Sequence, residues 1–166
     1  MDFTLKDDGQ GPYILSWTND NPQPTVDEIN AEWELVEFER AVSDKKAELN
    51  LACSQAILGK FSADVNGITY YFSNDSEAQS NFKDTKALFD DGTIDAMAGG
   101  IITWTAYDTN GKVCRIPLNK DQFKPVNIAR VMHQNNNVSK LRDDLEKRVD
   151  AATSLPEVLA ITWEGN

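Results

Sequence analysis

Residues with reactive side chains are few and scattered along this chain. His133 is its single histidine. A catalytic imidazole needs an orienting partner and a nucleophile within hydrogen-bond reach. The neighbouring Asn135, Asn136 and Asn137 supply neither, so His133 reads as a surface or helix-packing residue. Cys53 and Cys114 lie far apart with no paired spacing. One histidine and two isolated cysteines write no zinc site of ordinary ligand spacing. Cys53 sits on an apolar helical stripe and Cys114 beside Val113 in a strand, so both read as small buried hydrophobes. Arg115 adjoins Cys114, but neighbours in a strand point to opposite faces and give the thiol little activation.

The carboxylate pairs Asp90-Asp91 and Asp143-Asp144 are adjacent in sequence, and adjacent helix positions do not face each other. Asn74-Asp75-Ser76-Glu77 lacks the spacing of a calcium loop, and no glycine-rich phosphate loop is present. Tyr70, Tyr71 and Phe72 could stack on a sugar or peptide, but alternation in a strand turns one of them away from the other two. No catalytic, cofactor-binding or metal-binding residue is assigned, and no enzymatic activity is expected.

The elements that would carry these residues are legible from turn and cap chemistry. Phe3-Thr4-Leu5 and Tyr13 to Trp17 flank the turn Asp7-Asp8-Gly9-Gln10-Gly11 and read as a hairpin. A breaker follows at Asn19-Asp20-Asn21-Pro22-Gln23-Pro24. Thr25-Val26-Asp27-Glu28 has the capping-box spacing, which opens a helix. From Val26 to Leu58 there is neither Gly nor Pro. Apolar residues recur there in two sets: Val26, Ile29, Trp33, Val36, and Leu35, Phe38, Val42, Leu49, Cys53, Ile57. Steps of 3, 4 and 7 mark helical faces. Gly59 is the expected stop. The alternative is a break near Ser43-Asp44, giving two ordinary helices.

Phe61 to Val65, the turn Asn66-Gly67 and Ile68 to Phe72 form a second hairpin signal, since Asn-Gly suits both positive-φ positions of a type I′ turn. Ser73 or Asn74 is placed to cap a helix running to about Phe89, ended by Asp90-Asp91-Gly92. A short turn from Thr93 closes at Gly99-Gly100. Ile101 to Tyr107 and Lys112 to Pro117 form a third hairpin. Asn119 precedes a second long helical run, with Pro125 in its first turns. Its expected stripe is Ile128, Val131, Val138, Leu141, Leu145, Val149 and Ala152, interrupted at Asn135 to Asn137 by poor helix formers. Ser154-Leu155-Pro156-Glu157 reads as a further capped start. The fold class is α+β, with β-hairpins packed against two long amphipathic helices. The expected organisation is an N-terminal hairpin and Pro-rich linker over 1–24, a long amphipathic helix over 25–60, and a C-terminal α+β domain over 61–166.

Composition narrows the function. The 166 residues include 27 acidic and 16 basic side chains, a net charge of −11. Residues 1–108 hold 7 basic and 20 acidic side chains, net −13; residues 109–166 hold 9 and 7, net +2. Phosphate neutralisation needs clustered cations, so neither nucleic acid nor anionic membrane is an expected partner. The first ten residues lack the cationic flank and apolar stretch of a signal peptide. With two unpaired cysteines, a reduced compartment is expected.

Residues 141–163, LRDDLEKRVDAATSLPEVLAITW, resemble the ending of a domain family of unknown function from tailed bacteriophages. Members close with a helix, Ala-Ala-Thr, a short Glu-containing helix and Ile-Thr-Trp. The stretch Asp44 to Asn50, then Phe61, Gly67 to Phe72, Gln79, Asn81 and Phe82 extends the likeness over roughly residues 40–163. The opening hairpin, Pro22-Gln23-Pro24-Thr25 and the acidic helix resemble small tail genes of the same neighbourhood. Such domains accompany tail fibres and tail-fibre assembly proteins. The family has no established catalytic residues, so none is carried over.

The resemblance implies a non-enzymatic tail protein. It would be a tail-fibre accessory, acting as assembly chaperone or as a small structural subunit of the fibre or baseplate. Its place would be the virion tail, or the host cytoplasm during assembly. A 33-residue helix is about 50 Å long, more than the roughly 40 Å breadth of a compact chain of this size. An apolar stripe on the overhang needs a partner. The expected interface is Ile29, Trp33, Val36 and Val42, against a tail-fibre or baseplate protein or against sister copies, a coiled-coil trimer among the possibilities. The alternative is a receptor-binding tip module using Tyr70, Tyr71, Trp104 and Tyr107. An enzyme such as a depolymerase would need two carboxylates facing each other across a cleft.

Overall fold

The capping box at Thr25 forms as its spacing requires. In the computed structural model, which describes residues 3–9, 11–18 and 20–164, Thr25 Oγ1 accepts from the Glu28 N–H at 3.2 Å. The Glu28 carboxylate accepts from the Thr25 N–H at 2.7 Å. Gln10 of the expected turn, Asn19 of the expected breaker, and Met1, Asp2, Gly165 and Asn166 at the ends of the expected segments lie outside the described residues. The helix opened by the box, α1 (Val26–Leu58), runs unbroken to its cap at Gly59. No break occurs at Ser43-Asp44, where good helix formers lie on both sides.

The two ends of α1 are packed differently. Val42, Leu49, Cys53 and Ile57 enter a core cluster with Leu141, Leu145, Val149, Ile161 and Trp163. Lys45 shares this face and is buried, its ammonium paired with Glu48 at 2.7 Å. Between Val26 and Arg40 only Ile29 and Phe38 are even half-buried. The helix is therefore not amphipathic along one continuous face. The first apolar set noted in the sequence lies wholly in the open half; of the second, Leu35 shares that half and is exposed, whereas Val42, Leu49, Cys53 and Ile57 are covered.

Strands β1 (Phe3–Asp7) and β2 (Pro12–Trp17) form a two-stranded antiparallel sheet that belongs to neither core cluster. Asp7 Oδ1 accepts from the Gly9 N–H at 2.7 Å, and Gly9 has φ +88°, which fixes the turn. The larger antiparallel sheet has the order β3 (Phe61–Val65), β4 (Ile68–Phe72), β5 (Ile101–Tyr107), β6 (Val113–Asn119). Asn66 and Gly67 have φ of +54° and +81°, as a type I′ turn demands. The two hairpins meet at a single register pair, Tyr71 with Tyr107. Pro117 is accommodated because β6 is an edge strand.

One sheet face packs on α2 (Ser76–Asp90), α3 (Thr93–Ala98) and α4 (Lys120–Ser139) through an aromatic core. Phe61 stacks on Phe72 at 5.4 Å between ring centres, and Phe82 touches Trp104 at 4.4 Å and Phe123 at 5.6 Å. Burying each such side chain contributes about 1.5–3 kcal/mol.

Four local expectations are corrected. Asp75, not Ser73 or Asn74, caps α2, accepting from the Ala78 N–H at 2.8 Å. Asn74 is instead fully buried and donates to the Ile57 carbonyl, tying the start of α2 to the end of α1. Asn135 to Asn137 do not interrupt the second helical run, because Asn137 donates back to the His133 carbonyl at 2.8 Å and stays within α4. The irregularity falls later, in a π turn at Lys140–Leu145 that leads into α5 (Glu146–Ala151). The expected stripe also divides: Leu141, Leu145 and Val149 are buried, whereas Ile128, Val131 and Val138 are exposed. The packed face of α4 carries Phe123, Val126, Arg130, His133 and Asn137 instead. Its polar members hid it from a search for apolar periodicity. At α6 (Leu155–Ala160), the Ser154 side chain makes no cap bond. Glu157 reaches back to the Thr153 N–H at 2.7 Å in its place.

The division of α1 predicts unequal costs along one helix. Leu49→Ala opens a cavity in the core and is expected to cost about 2–5 kcal/mol. Trp33→Ala, a larger truncation, is expected to stay within about 0.5 kcal/mol because its site is exposed. Urea unfolding followed by circular dichroism reads both values.

Candidate functional site

Pro24, Glu28, Ile29, Glu32, Trp33 and Val36 line a shallow concavity of about 410 Å³ on the first half of α1. Trp33 is 58% exposed and Val36 46%. The structure thus brings Ile29, Trp33 and Val36 together. Val42 stands apart from them. It follows Trp33 by nine residues, which at 100° per residue places it about 180° around the helix, and it packs into the core with Leu49 and Cys53. Glu28 and Glu32 on the rim, and Pro24 at the entry, were not singled out from the sequence. The signal that finds the two glutamates is that each directly precedes a seam residue, Glu28 before Ile29 and Glu32 before Trp33. The Glu28 carboxyl is held below its ordinary range by the Thr25 backbone N–H, then by the Thr25 hydroxyl, so the rim carries charge even in mild acid.

A second polar constellation lies where α1 meets α4 and α5. His133 Nε2 lies 3.0 Å from the Ala56 carbonyl, to which it must donate, since a carbonyl only accepts. Asn50 donates to Glu146 at 3.4 Å and accepts from Arg142 at 3.3 Å; Arg142 also pairs with Glu146. Lys46 meets Asp150 at 2.5 Å. Apart from the i,i+4 pair of Arg142 with Glu146, these contacts join residues 77 or more positions apart, and nothing in local sequence announces them. Burial pushes the Cys53 thiol up from its ordinary range, which leaves it a weak nucleophile.

The aromatic set divides. Tyr70 and Trp104 pack against the core, Trp104 directly on Phe82 and Phe123. Tyr71 and Tyr107 lie on the other sheet face, with the Lys60 ammonium 3.3 Å from the Tyr107 ring centre. The four do not share a surface. A polar cleft of about 400 Å³ opens between α2 and the β5–β6 hairpin, lined by Asp75, Glu77, Asn81, Trp104 and Arg115 among others. Its two carboxylates come from one turn at the start of α2, and Asp75 is engaged as the cap. Among the described residues, no group of three or more His, Cys, Asp or Glu is placed to hold a metal ion. No helix among the described residues is long and apolar enough to cross a membrane.

An α+β protein with a helix packed at one end and open at the other is the class these observations define. Residues 1–40 match the family model described as XkdW protein, and residues 40–162 match that of a domain of unknown function, DUF4376. The chain belongs to the DUF4376 family, whose model covers most of its length. XkdW is phage-associated, and the two matches together support a phage-related protein. No curated protein and no solved structure matches the chain. The two family matches meet at Arg40, inside α1, at the point where packing on the core begins.

The polar constellation sets a pH dependence. Hydrogen bonding to Arg142, reinforced by its charge, by Asn50 and by Lys46, holds the Glu146 carboxyl below its ordinary value of 4.5. A carboxyl whose native pKa is depressed contributes stability that is complete above the unfolded value and is lost as pH falls through the native one. Glu146→Gln is therefore expected to lower the melting temperature at pH 7 and to shrink its fall between pH 5 and about pH 3. Thermal unfolding of both proteins across that range checks it.

Proposed function

We propose that this chain is a non-enzymatic bacteriophage tail protein. It serves as a tail-fibre accessory, either an assembly chaperone or a small structural subunit of the fibre or baseplate, and it acts through protein–protein contacts. The observation that carries the reading is the uncovered first half of α1, where Trp33 and Val36 stand in water beside a half-buried Ile29, on a helix whose second half is anchored in the core. Leaving such a group exposed is unfavourable for an isolated protein, and clustered apolar exposure with a polar rim marks an interaction surface. The phage-related family matches support the same context. Its place is the virion tail, or the host cytoplasm while tails assemble.

Co-expression of the full chain with proteins encoded by neighbouring tail genes tests the reading. A complex with a fibre or baseplate protein that survives size-exclusion chromatography is expected. A monodisperse monomer that joins none of them would overturn it. Quantitative mass spectrometry of purified virions then separates the two roles: a structural subunit is present at fixed stoichiometry, and a chaperone is absent.

A further inference from the structure

Val26, Ile29, Trp33 and Val36 are spaced 3, 4 and 3 residues apart, the a-d-a-d rhythm of a short coiled-coil seam. All but Ile29, which is half-buried, are exposed. The next position in the rhythm is Arg40, which ends the seam. In a coiled coil the flanking e and g positions decide which helix pairs with which. Here they are Asn30, Glu32, Glu37 and Glu39.

Two copies of this helix would therefore set glutamate against glutamate. In a parallel pair Glu32 of one strand faces Glu37 of the other; in an antiparallel pair glutamates again meet across the seam. The surroundings reinforce the sign, because residues 20–39 contain seven acidic side chains and no lysine or arginine. Like charges at these positions act against self-pairing, and a partner of opposite sign is selected.

We infer that the exposed seam of α1 docks a basic amphipathic helix of another protein. That helix carries apolar residues at its a and d positions and Lys or Arg at e and g, and it seats against Trp33 as the central anchor. Buried aromatic anchors of this kind dominate interface energetics. The assignment rests on the reading of the chain as an assembly partner and names the chemistry of what it binds.

The test uses the full chain and two fluorescently labelled synthetic peptides of three heptads each, both with Leu at a and d. One carries Lys at e and g, the other Glu. Fluorescence anisotropy is expected to show the Lys peptide binding at least about tenfold more tightly than the Glu peptide, with affinity falling as salt rises. Trp33→Ala should weaken the Lys peptide by about tenfold or more. Glu32→Lys, Glu37→Lys and Glu39→Lys combined should reverse the preference between the peptides. Circular dichroism verifies that each variant remains folded, which the exposure of these sites favours.

Equal binding of the two peptides, no binding of either, or an unreversed preference in the triple variant overturns the inference. So does self-association of the wild-type chain in sedimentation equilibrium that Trp33→Ala abolishes, since the seam would then hold a second copy. Any of these results leaves the tail-partner reading standing if the fibre or baseplate complex still forms. Conversely, peptide discrimination without such a complex removes the tail-partner reading alone.

Discussion

The contact between the second half of α1 and the helical run from Leu141 to Val149 governs how the rest of the molecule is arranged. Leu49 and Cys53 are buried against Leu141, Leu145 and Val149, and Ile161 closes the cluster from the chain's end. The buried residues of the later run are spaced by four. A regular α-helix has 3.6 residues per turn, so a four-residue spacing drifts around its surface. The π turn at Lys140–Leu145, in which the Glu146 N–H reaches the Leu141 carbonyl, underwinds the backbone and holds these residues on one side. Without it, Val149 would rotate away from α1. The segment Ile161-Thr162-Trp163 has a matching role. Ile161 is buried in this cluster, and Trp163 packs on it with the Lys140 ammonium 4.7 Å from its ring centre.

The larger sheet has one covered face. Phe61, Phe72, Phe82, Phe89, Trp104 and Phe123 interlock beneath it, and α4 covers them while carrying His133 to the end of α1. Two cores, one aromatic and one aliphatic, are thus bridged by α4 and by the Asn74 bond to Ile57. The aromatic residues of the covered face, Trp104 among them, are consumed internally. The forward part of α1 stays uncovered, and from Val26 to Glu39 its charged side chains are all acidic.

Short-range chemistry was the legible part of the sequence. The capping box at Thr25, the Asn66-Gly67 turn and the Gly59 stop each depend on neighbours within a few positions, and each forms. Long-range partners were not legible. Which apolar face of α1 is covered depends on residues about ninety positions later, so Val42 could be grouped with Trp33 by type but not separated from it by side. The packed face of α4 was missed because Arg130, His133 and Asn137 occupy it. Asn74 was read as a cap because its type suits one, whereas its burial against Ile57 depends on where α1 ends. The candidate site was legible as three residues of one seam; its acidic rim required the helix to be wound before it could be seen.

Continuity of α1 through Arg40 has a mechanical meaning. No hinge separates the open end from the anchored one, so the seam's direction is fixed by the core behind it. The projecting part, from Val26 to Arg40, is a stiff arm of about 20 Å. One residue inserted or removed near Arg40 would turn the arm by about 100° about its axis and point Trp33 elsewhere, with both cores intact. The count of residues across that junction is then as much a part of the binding surface as the side chains that form it.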